Sequence, residues 1–362
     1  MTIGLISNLY PPYARGGAEQ IVRRTAHELD RRGHRVFILT TRPFAGWKSM
    51  RQPTVERLVG TVYRFYPPNL YHPLNDWHWP WPARAVWHLT DMWSRHIHTL
   101  HDVQLSVPSG LLMAGQDQGW MNYSPLRLWY EQQVKGIVGS PHVVISPSKF
   151  LADFYEQRGF FPMSRREVLP NPAPDVRMEL PGPRQAGPLR LLYAGQLEPH
   201  KGVQLLLETL NTFDLPFELH IAGEGSLAGY VSEWAQRDSR VTYHGFESLE
   251  NLVNLFAVCD GVVVPSLCFE NSPTIIYESF LAGVPVVASN IGGVGELVQH
   301  GKNGYLVTPG HADELRAAFR RLAADTDQFR ARQGEIRKSI AAHSLSNYVN
   351  RLEGFIRDRN GK

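Results

Sequence analysis

From Leu189 onward the chain switches between two periods. LRLLYAG (189–195), FELHIAG (217–223), RVTYHGF (240–246), GVVVPS (261–266), VPVVAS (284–289) and NGYLV (303–307) are short apolar runs, each the length of one strand. The stretches between them, GVQLLLETLNTF, LAGYVSEWAQR, 248–258 and 273–282, together with ADELRAAFRRLAAD beyond, recur with helical spacing. Strands separated by helical periods predict βαβ units and a parallel sheet covered on both faces. The first half opens the same way: a strand at TIGLIS, a helix over GGAEQIVRRTAHELDRRG with a glycine stop, and a strand at HRVFILT. TVYRFY and HVVISPS read as further strands, LRLWYEQQVKGIV and KFLADFYEQR as helices. Residues 67–122 are rich in Trp, His and Pro and keep no steady period.

The proline- and glycine-rich stretch LPNPAPDVRMELPGPRQAGP divides the two halves. The expected organisation is a Rossmann-like domain over 1–170, a linker over 171–188 and a second Rossmann-like domain over 189–338. A C-terminal helix in 339–362 should pack back toward the first domain through Leu345, Tyr348, Val349, Leu352 and Phe355.

Composition narrows the classes. A chain of 362 residues can bury two cores. A net charge of +3, from 37 basic and 34 acidic groups, argues against a nucleic-acid partner. Cys259 and Cys268 suit core thiols of a reducing compartment better than a disulfide or a metal cluster. MTIGLISNLY lacks the pattern of a signal peptide, and no apolar run is long enough to span a bilayer. A cytoplasmic location is therefore expected, with surface attachment at the inner face of a membrane left open.

The stretch FENSPTIIYESFLAGVPVVAS holds the candidate chemistry. Pro273 suits the first turn of a helix, where a missing N–H has no partner to lose. Glu270 and Asn271 then lie in the loop before the helix mouth, where free N–H groups and the helix dipole attract phosphate. Glu278 lies inside the helix. Taken alone, the pair is equally a capping carboxylate and a surface helical one. GEGSL (223–227) also follows a strand and precedes a helix, although such turns are ordinary. Lys201 in GQLEPHKG is either a phosphate ligand or a solvent-facing lysine. Gly292 and Gly293 suit an anion or a plain turn, and Gly16-Gly17 open a helix after the first strand.

Together these residues resemble the retaining GT-B glycosyltransferases of family 4 (glycosyltransferase group 1), and the E-x7-E segment with its PVVAS strand carries most of the likeness. The resemblance implies two doubly wound Rossmann-like domains facing a cleft and a UDP-, GDP- or ADP-sugar donor bound mostly by the second domain. It also implies a glycan or lipid-linked acceptor held by the first, with no metal or cofactor. Carried over residue by residue, Glu270 contacts the donor sugar, and Asn271, Ser272 and Pro273 lend backbone around sugar and phosphates. Glu278 takes the ribose hydroxyls and Lys201 the diphosphate, which Gly17 approaches from the other domain. His101 lies near the donor sugar, and Gly245 and Phe246 hold the base. His101 can equally be read as a packed loop histidine.

Two departures matter. Gln196 stands where the family carries an arginine on the diphosphate, so charge and a rigid fork are lost. The run MWSRHIHTLHD joins two landmarks that relatives separate by a further βα unit, so a reduced N-terminal sheet is expected. The expected activity is metal-independent, front-face hexosyl transfer. The competing reading is a catalytically weak or inactive nucleotide-sugar-binding subunit of a polysaccharide assembly system; a sugar epimerase of the same plan fits the E-x7-E segment less well. The tryptophans at 77, 79, 81, 87 and 93 suggest peripheral membrane contact or packing in a smaller core.

Overall fold

A computed structural model describes residues 1–7, 10–12, 17–41, 54–58, 60–65, 95–115, 124–176, 178–179, 182 and 186–358. The five tryptophans from 77 to 93 lie outside the described residues. The chain divides into two units: Met1–Leu111 with Gly119–Pro172 and His343–Lys362, and Leu112–Gln118 with Ala173–Ala342.

In the first unit, β1 (Thr2–Ser7) leads to α1 (Gly17–Arg31) and β2 (Arg35–Thr41). Helix α1 buries Ile21, Thr25, Ala26, Glu28 and Leu29 along one stripe, and Gly33, with φ +81°, ends it. The hairpin β3 (Thr54–Leu58) and β4 (Gly60–Phe65) follows, and β4 adds in parallel to β2. The strand pattern did not reveal β3. Its Glu56 faces Arg64, a fully buried guanidinium that also donates to the carbonyls of Tyr10 and Pro11. The rest of the unit is β5 (Ile97–Thr99), α2 (Pro125–Val138), β6 (Val143–Ser146), α3 (Lys149–Gln157) and β7 (Arg165–Val168).

The strands form two sheets, ordered β1-β2-β4-β3 and β5-β6-β7. Both contribute to one apolar cluster that includes Ile3, Ile38, Val62, Val143 and Ile145. Among the described residues β1 and β5 each lie at the end of a sheet and do not pair with each other.

The second unit contains β8 (Leu189–Ala194), α4 (Val203–Asn211), β9 (Phe217–Ala222), α5 (Ala228–Arg237) and β10 (Val241–Gly245). It continues through α6 (Leu249–Val258), β11 (Gly261–Val264), α7 (Thr274–Leu281), β12 (Val286–Ser289), α8 (Val294–Leu297), β13 (Gly304–Val307), α9 (Ala312–Ala331) and α10 (Gln333–Lys338). Its six strands make one parallel sheet, ordered β10-β9-β8-β11-β12-β13. Central β11 and β12 are buried at every residue, which is why they read as unbroken apolar runs.

The last helix, α11 (Leu345–Arg357), returns to the first unit. Tyr348, Val349, Leu352 and Phe355 are buried there, and Arg32 on the α1 side bonds to Asn350 and Ser346.

Candidate functional site

In the second unit the candidate residues gather at the carboxyl ends of β8 and β11, where open α/β sheets bind ligands. After β8 the chain passes exposed Gln196 and makes a single 3-10 turn, Pro199–Lys201. Gly202, in the left-handed region at φ +76°, then starts α4. A Cβ there would lie 2.0 Å from the carbonyl oxygen of Pro265, so only glycine lets the turn approach the loop after β11. That approach positions Lys201: its Nζ donates to Glu270 Oε1 at 2.6 Å. Ser266 Oγ, on the same loop, donates to the same oxygen at 2.8 Å. Burial is the largest influence on Lys201 and opposes its charge, but attraction from Glu270 and Cys268 together with the Glu270 hydrogen bond leaves the lysine pKa above its ordinary value.

Glu270 is also held through its backbone. Gly293 N–H donates to its carbonyl at 2.7 Å, and a Cβ on Gly292 would fall 2.1 Å from that oxygen. The two glycines therefore clamp Glu270. On the other side, Met113 forms an antiparallel bridge with Cys268; Phe269 N–H donates to Leu112 O, and Ala114 N–H to Leu267 O, both at 2.8 Å. The loop that presents Glu270 is thus fixed on several sides. Pro273 is the N-cap of α7, one position before the first turn, with φ −67° and no side-chain cap. Ser272 is buried, its hydroxyl 2.7 Å from Tyr277 OH. Glu278, the fifth residue of α7, is half-buried.

GEGSL is tied to the neighbouring loop within the chain. Glu198 accepts from Ser226 N–H at 2.9 Å and Ser226 Oγ at 2.6 Å, so a carboxylate of the chain already caps this turn. A Cβ on Gly223 would lie 1.8 Å from Gly195 O, and one on Gly225 2.5 Å from Leu197 O. Its glycines serve close approach between neighbouring loops. Gly245 ends β10 at φ +73°, and its carbonyl accepts from Gly223 N–H at 2.7 Å. Phe246 beside it is 71% exposed, far more than a core aromatic would be.

Sequence reasoning missed Ser266 and Tyr193. Tyr193, buried at the end of β8, donates to Gln196 O at 2.7 Å, and burial followed by Glu270 pushes its phenol pKa up. Serine and tyrosine at a strand end carry no pattern of their own; only the later Glu270 gives Ser266 a meaning.

The remaining candidates belong to the first unit. Gly17 is the first residue of α1. His101 follows β5, and burial lowers its pKa to about 4, so its imidazole is neutral at pH 7. The segment after it is tied to two helices: Tyr155 OH donates to Asp102 O at 2.8 Å, Tyr130 OH to Gln104 O at 3.0 Å, and buried Ser106 bonds to both Glu131 and Arg127. Among the described residues no group of three or more His, Cys, Asp or Glu side chains is placed to hold a metal ion, and no helix is long and apolar enough to cross a membrane.

A parallel sheet with a lysine, a glutamate and an uncapped helix mouth at its carboxyl edge, joined in one chain to a second Rossmann-like unit, defines the class: a GT-B fold protein. Two family descriptions match it, "Glycosyl transferases group 1" over residues 188–325 and "Glycosyltransferase Family 4" over residues 15–176. The chain belongs to the group 1, family 4 glycosyltransferases, with a reduced N-terminal sheet. It is 28% identical over 234 residues to the lipopolysaccharide 1,2-N-acetylglucosaminetransferase of Salmonella typhimurium, an alignment covering 58% of this chain and 60% of that protein. The match therefore spans less than two thirds of that relative. The fold resembles sucrose-phosphate synthase from Thermosynechococcus elongatus, with a TM-score of 0.76, 20% identity and 98% of both chains covered. It also resembles Anabaena HepE in complex with UDP-glucose, with a TM-score of 0.70, 20% identity and 98% of both chains covered.

Proposed function

We propose that this protein transfers a hexose from a nucleoside-diphosphate sugar to a glycan or lipid-linked acceptor, with retention and without a metal. The observation that carries the proposal is the Lys201–Glu270 pair beside an uncapped helix mouth, with Glu278 eight positions on. An ammonium and free helix N–H groups suit a diphosphate, and carboxylates suit sugar and ribose hydroxyls. The UDP-glucose complex of HepE supports the donor class.

In this reading Lys201 and the N–H groups of Thr274 and Ile275 meet the charge that grows on the leaving diphosphate, the main contribution of the protein to the rate. The bond from the anomeric carbon to the diphosphate oxygen breaks, and the acceptor hydroxyl adds from the same face. Its proton passes to the departing phosphate oxygen. Glu270 holds the sugar, and Glu278 the ribose. Neutral His101 serves as a hydrogen-bonding group near the sugar, Gly17 gives the diphosphate a close backbone, and Gly245 and Phe246 flank the base. Asn271, Ser272 and Pro273 shape the loop. A lipid-linked acceptor would place the work at the cytoplasmic face of a membrane.

The reading is tested by a thermal-shift screen of UDP-, GDP- and ADP-sugars, followed by hydrolysis and transfer assays. Glu278→Ala should weaken the free nucleoside diphosphate and the donor alike by tenfold or more, roughly 1.4 kcal/mol. Glu270→Gln should keep nucleotide affinity while turnover falls by about two orders of magnitude. Equal loss of nucleotide affinity in both variants would remove the assignment. Gln196 and the shortened sheet favour the second reading, a subunit that binds nucleotide sugars without turnover, and binding with neither hydrolysis nor transfer would establish it.

A further inference from the structure

Glu270 is held in an asymmetric way. Both of its side-chain hydrogen bonds, from Lys201 Nζ at 2.6 Å and Ser266 Oγ at 2.8 Å, end on Oε1. Among the described residues Oε2 has no hydrogen-bond partner, although only 14% of the side chain is exposed. A carboxylate fixed through one oxygen presents the other along a single direction. Of the two donors, the ammonium is a flexible point charge with three N–H groups. The hydroxyl belongs to a short side chain that is 2% exposed.

We infer that Ser266 is a positioning residue, which keeps the Glu270 carboxylate oriented with Oε2 outward when an anionic ligand draws Lys201 away. The inference rests on the transferase reading and deepens it. A diphosphate arriving at this edge competes with Glu270 for Lys201, because exposed Gln196 brings no second cation. Without Ser266, Glu270 would lose its remaining hold on Oε1 at the moment its orientation toward a sugar hydroxyl matters. Backbone contacts from Gly293 and Phe269 hold the loop, but they do not fix rotation of the carboxylate itself. That task falls to Oγ.

Ser266→Ala removes one oxygen and fills the same space, so it should fold. With UDP-glucose or whichever donor the wild type turns over, kcat should fall about ten- to thirtyfold, the loss of one oriented hydrogen bond. Affinity for the free nucleoside diphosphate, measured by titration calorimetry, should stay within about twofold. Ser266→Thr should restore most of kcat, and adding Ser266→Ala to Glu270→Gln should cost almost nothing further, since the hydroxyl acts through Glu270. Unchanged kcat, or an equal loss in the Glu270→Gln background, would overturn the inference. A crystal structure of Ser266→Ala with pyrophosphate or a nucleoside diphosphate bound, the state in which Lys201 is drawn from Glu270, reads the same contact without turnover. The Glu270 carboxylate should rotate or split between orientations, and an unmoved carboxylate would overturn the inference even if the wild type transferred no sugar. A wild type that bound no nucleotide sugar would instead remove the transferase reading.

Discussion

The two α/β units are built from the same elements but held together differently. The second closes six parallel strands into one sheet and brings its loops together backbone on backbone, at Gly202, Gly223, Gly225 and Gly292. The first splits its strands between two sheets and makes up the difference with polar contacts. Arg64 ties the β3–β4 hairpin to Tyr10 and Pro11, Ser106 ties Glu131 to Arg127, and Arg32 ties α1 to α11. Close backbone contact tolerates no added atom, whereas a polar network tolerates shape change and responds to protonation. The donor-side unit should therefore be brittle to substitution and the other unit sensitive to acid.

The largest effect should come from Gly223→Ala. Its φ of +152° and a Cβ 1.8 Å from Gly195 O force two loops apart, and a loss of roughly 3 kcal/mol or more is expected. Gly33→Ala in the first unit meets nothing within 4 Å and bears only the left-handed conformation, about 1 kcal/mol. Urea unfolding of both variants measures the pair. Similar losses would mean that the glycine contacts do not distinguish the units.

Much of this contrast was legible before the structure. The second unit alternates strand and helix so regularly that each strand from β8 to β13 lies inside the run that predicted it. Buried β11 and β12 show why, since a strand covered on both faces needs an unbroken apolar run. In the first unit, β5 is three residues long and β7, RREV, buries none of its residues, so neither carries a hydrophobic period. The E-x7-E spacing marked Glu270 in the loop before a helix and Glu278 inside it. It could not say whether Lys201 faced solvent, because its partner lies 69 positions away. The roles of the GEGSL and Gly292-Gly293 glycines were equally hidden, as each depends on a loop distant in sequence.

The acid response comes next in size. Burial, then His96 and His101, lowers the His98 pKa to about 3, and burial alone lowers that of His101 to about 4. An unfolded chain takes up these protons near pH 6.5, so both groups favour the folded state at neutral pH and lose that contribution as pH falls from 6.5 toward 4. Glu28 adds a lower window. Hydrogen bonding from Arg31, with further help from Arg32, holds it at about 2 against 4.5 unfolded, so its contribution disappears as pH falls through that range. In the second unit burial lowers His220 in the same direction. Hydrogen exchange from pH 7 to 5 should show the first unit opening before the second. His98→Phe, which keeps a ring beside Phe161, should shift that opening to lower pH. Simultaneous opening of both units would break the contrast.

The smallest effect tests whether the second unit, for all its rigid backbone, lacks only charge. Gln196 lies exposed at the end of β8, and its carbonyl is fixed by Tyr193 OH at 2.7 Å whatever side chain the position carries. Gln196→Arg should therefore leave the strand end in place while adding a second cation beside Lys201. A guanidinium forks onto a diphosphate, and bonds of this kind contribute about 1–3 kcal/mol. Exposure to solvent screens the charge, so about 1 kcal/mol is expected, a five- to tenfold gain in affinity for a nucleoside diphosphate. Titration calorimetry at low and high salt checks both the gain and its origin, since a charge effect shrinks as salt rises. A folded variant with no gain at low salt would mean that the loop is organised around the amide, and that Lys201 alone is the charge this site was built to use.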